Sequence, residues 1–186
     1  MVKGFFFDLD GTLVDTHQAN FEAYRRAVQE VSGAELTFEQ FTRSIGNVAK
    51  TFLPWFAPGL QEADYQRMAN LKAHYYKDLM HLTRLNAELV DFMHSMKNVQ
   101  MVLVTAAKRV NAQAVLAHHG ISDAFAYIIT AEDVEHSKPA PDAYILALKR
   151  TGLQADEALA FEDSETGIRA AEAAGIRVVP VNNFAV

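Results

Sequence analysis

The sequence predicts an α/β chain, a parallel-sheet core with a small all-helical insertion directly after the first strand. Three observations predict it. Five short apolar runs recur along the chain, amphipathic helical patterns separate them, and the stretch over residues 15–82 holds helical patterns and no strand. Strands that alternate with helices close into right-handed crossover units around a parallel sheet.

The first run, Val2 to Phe7, is apolar without alternation and stops at Asp-Leu-Asp-Gly, so it reads as a strand buried on both faces. Phe21, Tyr24, Val28 and Val31 then mark one helix of the insertion, and Tyr65, Met68, Leu71, Tyr75 and Leu79 another. Leu85, Leu89, Phe92, Met93 and Met96 mark the first helix of the core after the insertion. The remaining strands are Met101–Val104, Tyr127–Ile129, Ala158–Phe161 and Val178–Val181. The helix through Ala112, Val115 and Leu116 runs to Gly120, that through Tyr144, Ile145 and Leu148 to Gly152, and that from Ile168 to Ala174 ends at Gly175. Glycine just past a last turn supplies the left-handed residue that ends a helix. The order is that of a Rossmann-like core over 1–14 and 83–186, with the helical insertion over 15–82.

Composition narrows the function. Of 186 residues, 50% are hydrophobic and 22% charged, which suits a chain with a proper core. The formal net charge of −6 excludes the basic footprint of a nucleic-acid binder. There is no Cys, so disulfides, thiolate nucleophiles and zinc–thiolate sites are out. The apolar run at the start is shorter than a signal-peptide core, and no stretch approaches a membrane span. A soluble cytoplasmic chain is expected, with no nucleic-acid or membrane partner and as a monomer or weak dimer.

In an open parallel sheet, ligands bind beyond the carboxyl ends of the strands. After the first strand stand Asp8, Asp10, Gly11 and Thr12, and after the Met101 run stands Thr105. Lys138 precedes Pro139 between the third strand and the next helix, and Glu162 and Asp163 follow the Ala158 run. Singly, each has a plain explanation. Asp10-Gly11 makes a turn, Lys138-Pro139 a solvated loop, and Glu162-Asp163 before Ser164 the acidic start of a helix. Together, and in order, they place four acids, a hydroxyl and an ammonium at one sheet edge. Oxygen ligands of this kind suit Mg²⁺, which keeps waters and leans on substrate phosphate. Lys138 can pair with a carboxylate and a phosphate oxygen, and Thr105 with the amides after it can donate to phosphate.

These residues resemble the haloacid dehalogenase superfamily. Asp8-Leu9-Asp10-Gly11-Thr12-Leu13 is similar to its first motif and Val104-Thr105-Ala106-Ala107 to its second. Ser137-Lys138-Pro139-Ala140-Pro141-Asp142 is similar to the third, and Phe161-Glu162-Asp163-Ser164-Glu165-Thr166-Gly167 to the fourth. The resemblance covers nearly the whole core, and the insertion resembles the helical cap of that family in placement and pattern. It implies that Asp8 is a nucleophile forming an aspartyl-phosphate, and that Asp10 protonates the leaving oxygen and then activates water. It also implies that Thr105 and Lys138, with Gly11 and Ala106, hold the phosphoryl group. Mg²⁺ would take the Asp8 carboxylate, the Asp10 backbone carbonyl and the Asp163 carboxylate, with Glu162 acting through water. Members that cleave carbon–halogen or carbon–phosphorus bonds lack an acid two residues after the nucleophile, so Asp10 points to phosphate esters.

The resemblance implies a Mg²⁺-dependent phosphatase of a small phosphorylated metabolite, of the sugar-phosphate or phosphoglycolate type. A β-phosphoglucomutase-like mutase is the alternative, and a non-catalytic phosphometabolite-binding module a third. Mutases of this type carry a cap histidine where this chain has Asn20, and His17 nearby is expected on a solvent-exposed face. Arg43, Ile45-Gly46-Asn47 and Lys50 form the candidate specificity stretch, with Arg43 suited to a second anionic group and Lys50 expected to be solvated. Phe52, Trp55 and Phe56 are expected to form the core of the insertion. His81, His94, His118, His119 and His136 have no metal-ligand spacing and receive no role.

Overall fold

Gly4–Phe7 forms β1 and is buried along its whole length, as a central strand of a parallel sheet must be. The computed structural model describes residues 1–45, 49–182 and 184. In chain order the elements after β1 are β2 (Val14–Asp15), α1 (His17–Ser32), α2 (Phe38–Thr42), α3 (Ala49–Phe56), α4 (Glu62–Tyr76), β3 (Arg84–Leu85) and α5 (Ala87–Ser95). Then follow β4 (Gln100–Val104), α6 (Arg109–His118), β5 (Tyr127–Ile129), α7 (Asp142–Thr151), β6 (Ala158–Glu162), α8 (Glu165–Ala173) and β7 (Arg177–Pro180). The chain divides into two compact units, one of Met1–Asp15 with Arg84–Ala185 and the other of Thr16–Thr83. Among the described residues no helix is long and apolar enough to cross a membrane.

The first unit is the α/β core. Its sheet has the order β5-β4-β1-β6-β7 and every pairing in it is parallel. Successive side chains of a strand face opposite ways, and β1 divides its three phenylalanines accordingly. Phe6 joins Val102, Ile129, Tyr144, Ala147, Ala160 and Ala171 in one cluster. Phe5 and Phe7 instead meet Phe92 and Phe161, with Phe5 stacked on Phe92 at 5.5 Å and Phe7 on Phe161 at 4.6 Å. One apolar strand thus supplies both layers of the core. The small antiparallel pair of β2 with β3 joins Val14 to Leu85 and Asp15 to Arg84, with Arg84 and Asp15 also in ion contact at 3.5 Å. Leu85 therefore belongs to a strand and not to the helix the apolar spacing gave it, because Asn86 caps α5 by accepting from the Leu89 amide.

The second unit is helical. Val28 of α1, Phe41 of α2, Phe52 and Leu53 of α3, and Met68 of α4 form its core. Leu79, read as part of the second helix, lies instead in a 3₁₀ turn over Lys77–Leu82. The aromatic expectation for α3 needs correction. Phe52 is buried and Phe56 packs against the cluster, but Trp55 is 54% exposed. The buried face of α3 runs between Phe52 and Leu53. At 3.6 residues per turn, Trp55 falls off its far side. His17 is half-buried, not solvent-exposed as expected. Of the candidate specificity stretch, Gly46 and Asn47 lie outside the described residues.

On α1, Glu22 accepts from Arg25 at 2.7 Å and from Arg26 at 2.8 Å. The Arg25 hydrogen bond does most to hold the Glu22 carboxyl down to about 2, against partial burial and with help from Arg26. A pKa lowered by folding stabilises above the unfolded value of about 4.3, and that stability is lost as pH falls toward the folded one. Both arginines are well exposed, so screening holds the gain to about 1 kcal/mol. Glu22→Gln is expected to lower stability by that amount at pH 7. Urea unfolding at pH 7 and at successively lower pH checks it; a gap that does not shrink below about pH 4 contradicts the linkage.

Candidate active site

Four segments of the α/β core converge at the carboxyl ends of β1, β4 and β6. Asp8 directly follows β1, and its amide still donates to the Phe161 carbonyl at 3.0 Å, so the nearly buried side chain is aimed by the sheet itself. The chain then turns sharply, with the Gly11 amide donating to the Val14 carbonyl at 2.8 Å. Gly11 has a φ of 89°, and a Cβ there would overlap the Asp163 carboxylate. Only glycine allows that approach. Thr12 Oγ1 donates to Asp163 Oδ1 at 2.9 Å, and the Asn86 side-chain amide donates to the Thr12 carbonyl at 3.1 Å. A chain of bonds thus runs from the start of α5 through Thr12 to Asp163.

Lys138 is the centre of the charge network. Its ammonium donates to Asp8 Oδ1 at 2.6 Å, to Glu162 Oε1 at 2.5 Å and to the Val104 carbonyl at 2.8 Å. An ammonium has three protons, so all of them are committed to protein oxygens. The expectation that Lys138 also holds phosphate therefore requires it to exchange one of these partners. Glu162 is fully buried, and its Oε1 accepts a second bond from the Tyr144 hydroxyl at 2.6 Å. Behind it, a Cβ on Gly167 would overlap the carboxylate, so glycine is required at that point of α8 too. Ser164 caps α8 by accepting from the Gly167 amide at 3.1 Å.

Negative charge exceeds positive here. Burial is the largest influence on Asp8 and pushes its carboxyl well above the usual carboxylate range, with Glu162, Asp163 and Asp10 adding to the rise and Lys138 opposing it. Burial by itself would lower Lys138, but Asp8 and Glu162 outweigh it and raise the ammonium above its ordinary value. Burial likewise raises the Tyr144 phenol well above its usual range, so it stays a donor. Asp8, Glu162 and Asp163 each bring a carboxylate oxygen within 4.8 Å of the others. An oxygen-only donor set, buried at Asp8 and Glu162 and partly buried at Asp163, with surplus negative charge fits a hard divalent cation such as Mg²⁺.

Of the remaining candidates, Thr105 is buried with its Oγ1 accepting from the Ala107 amide at 3.0 Å, and Ala106 beside it is exposed. Asp10 is half-buried. Arg43 and Lys50 belong to the helical unit and are exposed, Arg43 bonded to Glu39 at 2.5 Å and Lys50 3.7 Å from Glu62. Asn20 donates its amide to the Thr16 carbonyl and hydroxyl, both at 3.1 Å. Sequence reasoning assigned no role to Tyr144, Asn86 or Gly167. A tyrosine on an otherwise apolar helix face and an asparagine at a helix start are the signals that stand for the first two.

Comparison with known proteins identifies the family. The family described as haloacid dehalogenase-like hydrolase matches residues 5–181. A fructose-1-phosphate phosphatase of Escherichia coli is 30% identical over 185 residues, covering 96% of this chain and 95% of that protein. Hexitol phosphatase A of the same organism is 33% identical, covering 97% of this chain and 83% of its own length. Among solved structures, a beta-phosphoglucomutase from Clostridium difficile superposes with a TM-score of 0.80 at 28% identity, covering 98% of this chain and 86% of that one. The match spans every strand of the parallel sheet and all the acids gathered at its carboxyl edge, and on it the chain belongs to the haloacid dehalogenase-like hydrolases, a family of enzymes.

Proposed function

We propose that the chain is a Mg²⁺-dependent phosphatase of a small phosphorylated metabolite, of the sugar-phosphate type, working through an aspartyl-phosphate on Asp8. The observation that carries this reading is the buried Asp8 carboxylate, oriented by Lys138 and set beside Asp163 and Glu162. Phosphoryl transfer needs mainly positioning and charge stabilisation, and this site is built for both. The relatives named as sugar and polyol phosphatases support the substrate class.

Asp8 attacks phosphorus, and the bond from phosphorus to the ester oxygen breaks. Asp10 gives that oxygen its proton as it leaves. The Asp10 carboxylate then takes a proton from water, the water oxygen bonds to phosphorus, and the bond to Asp8 breaks, restoring the carboxylate. A covalent intermediate splits one hard displacement into two easier ones, and one acid serving both proton transfers keeps them in register. The Asp8 and Asp163 carboxylates and the Asp10 carbonyl would hold the cation, which when bound neutralises charge on the phosphoryl oxygens. Glu162, whose Oε1 is shared by Lys138 and Tyr144, would act on it through water. Thr105, with the backbone at Gly11 and Ala106, receives the phosphoryl oxygens. Arg43 is the candidate partner for a second anionic group on the substrate. Its exposed pairing with Glu39 is worth no more than about 1 kcal/mol, so changing partners costs little.

Phosphate release from phosphoglycolate, hexose, hexitol and pentose phosphates, nucleoside monophosphates and p-nitrophenyl phosphate, with Mg²⁺ and with EDTA, tests the reading. Release from one or a few sugar-type esters that EDTA abolishes is expected. Conversion of β-glucose 1-phosphate to the 6-phosphate, without free phosphate, would replace the phosphatase with a mutase.

A further inference from the structure

We propose that Tyr144 is a positioning residue of this site, its hydroxyl holding Glu162, and through Glu162 the Lys138 ammonium, against Asp8. The inference rests on the phosphatase reading above. Tyr144 lies on α7 with its side chain fully buried, and its hydroxyl donates to Glu162 Oε1 at 2.6 Å. That same oxygen accepts from Lys138 at 2.5 Å, and the Tyr144 ring centroid stands 5.3 Å from the ammonium. The tyrosine thus meets both members of the Lys138–Glu162 pair.

A phenylalanine would fill the same space and spare the burial of a hydroxyl, which costs free energy unless it is well bonded. The hydroxyl's effect falls on Glu162. A fully buried carboxylate with Lys138 as its one strong donor would draw the ammonium toward itself. A second donor on the same oxygen disperses that charge and fixes the plane of the carboxylate. Lys138 is then free to divide its three bonds among Glu162, the Val104 carbonyl and Asp8. Taking the hydroxyl away pulls the ammonium from Asp8, so the nucleophile loses its orientation while the groups that would bind substrate stay where they are.

Tyr144→Phe removes the hydroxyl and keeps the ring over Lys138. Its kcat is expected to fall about tenfold with KM within about twofold of wild type, the signature of an interaction acting in the transition state. The decisive comparison is a cycle with Glu162→Gln, read well below the lowest melting temperature of the four proteins. Residues acting through one another are not additive, so Tyr144→Phe added to Glu162→Gln is expected to change kcat by less than about twofold. In the metal-free protein, the Lys138 side-chain ¹⁵N resonance is expected to move in Tyr144→Phe. A full tenfold loss in both backgrounds, an unchanged kcat, or a lowered melting temperature with kcat and the Lys138 resonance intact would each overturn the inference. If Tyr144→Phe does not fold, 3-fluorotyrosine placed at this site alone strengthens the donor and keeps the shape; a kcat that does not move then overturns it as well. Wild-type protein silent on every phosphate ester overturns both readings, whereas an active wild type matched by Tyr144→Phe overturns this one alone.

Discussion

Asp8→Asn is expected to reduce phosphate release by at least about 10⁴-fold while the melting temperature holds or rises. An amide cannot form the acyl phosphate, so the loss falls on the chemical step. Its oxygen can still accept from Lys138, which keeps the geometry seen at Asp8 Oδ1. The stability half of the prediction comes from charge. Four carboxylates face one ammonium here, and taking one charge away relieves repulsion that burial makes expensive. Enzymes commonly hold such unfavourable charge for function. Phosphate release and thermal unfolding on the same preparations check both halves. Turnover within tenfold of wild type would remove Asp8 from the nucleophile's role.

The second large effect is at Gly11. Gly11→Ala places a Cβ onto the Asp163 carboxylate at a backbone φ of 89°. The left-handed backbone costs a residue with a side chain about 1–2 kcal/mol. The displacement of Asp163 adds a functional loss, since a shift of about 1 Å in a site can cost about 10²-fold in rate. Gly152 separates the two causes. It shares a positive φ of 71° but has open space around the added Cβ. Gly152→Ala is therefore expected to lose stability alone, and Gly11→Ala to lose stability, Mg²⁺ affinity measured by calorimetry, and activity together. Equal activity in the two variants would show that the overlap with Asp163 does not matter.

What the sequence made legible follows from where information is local. β1, β4, β5, β6 and β7 are apolar runs bounded by turn residues, so their existence and parallel direction need only the pattern around each of them, whereas their order β5-β4-β1-β6-β7 does not follow from it. Asp8, Thr105 and Asp163 are legible because each lies just beyond such a run, and Lys138 because it precedes Pro139 in the loop between β5 and α7. Tyr144 looks like one more apolar mark on α7, and it is indeed buried; what no local pattern carries is that its hydroxyl meets the Glu162 carboxylate at the end of β6. Asn86 and the β2–β3 pair escaped notice for a related reason. Two-residue strands have no periodicity to read, and they exist only because distant segments meet. Trp55 was misplaced because aromatic spacing on α3 marks a face but not its edge, and the neighbours in α1 and α4 decide where that edge falls.

The β2–β3 pair has a consequence for how freely this architecture can change. Asp15 and Arg84 are opposite partners in an antiparallel register, so the chain leaves the sheet unit and re-enters it at adjacent points. In effect the whole of Thr16–Thr83 is the loop of a hairpin. Closing a longer loop costs only about 0.6 kcal/mol for each doubling of its length. Nothing in the strand order of the core depends on what occupies that loop, because all five parallel strands pair among themselves. The helical unit is therefore an exchangeable module. Its length and sequence can change without altering the pairing of the strands that position Asp8, Glu162 and Asp163.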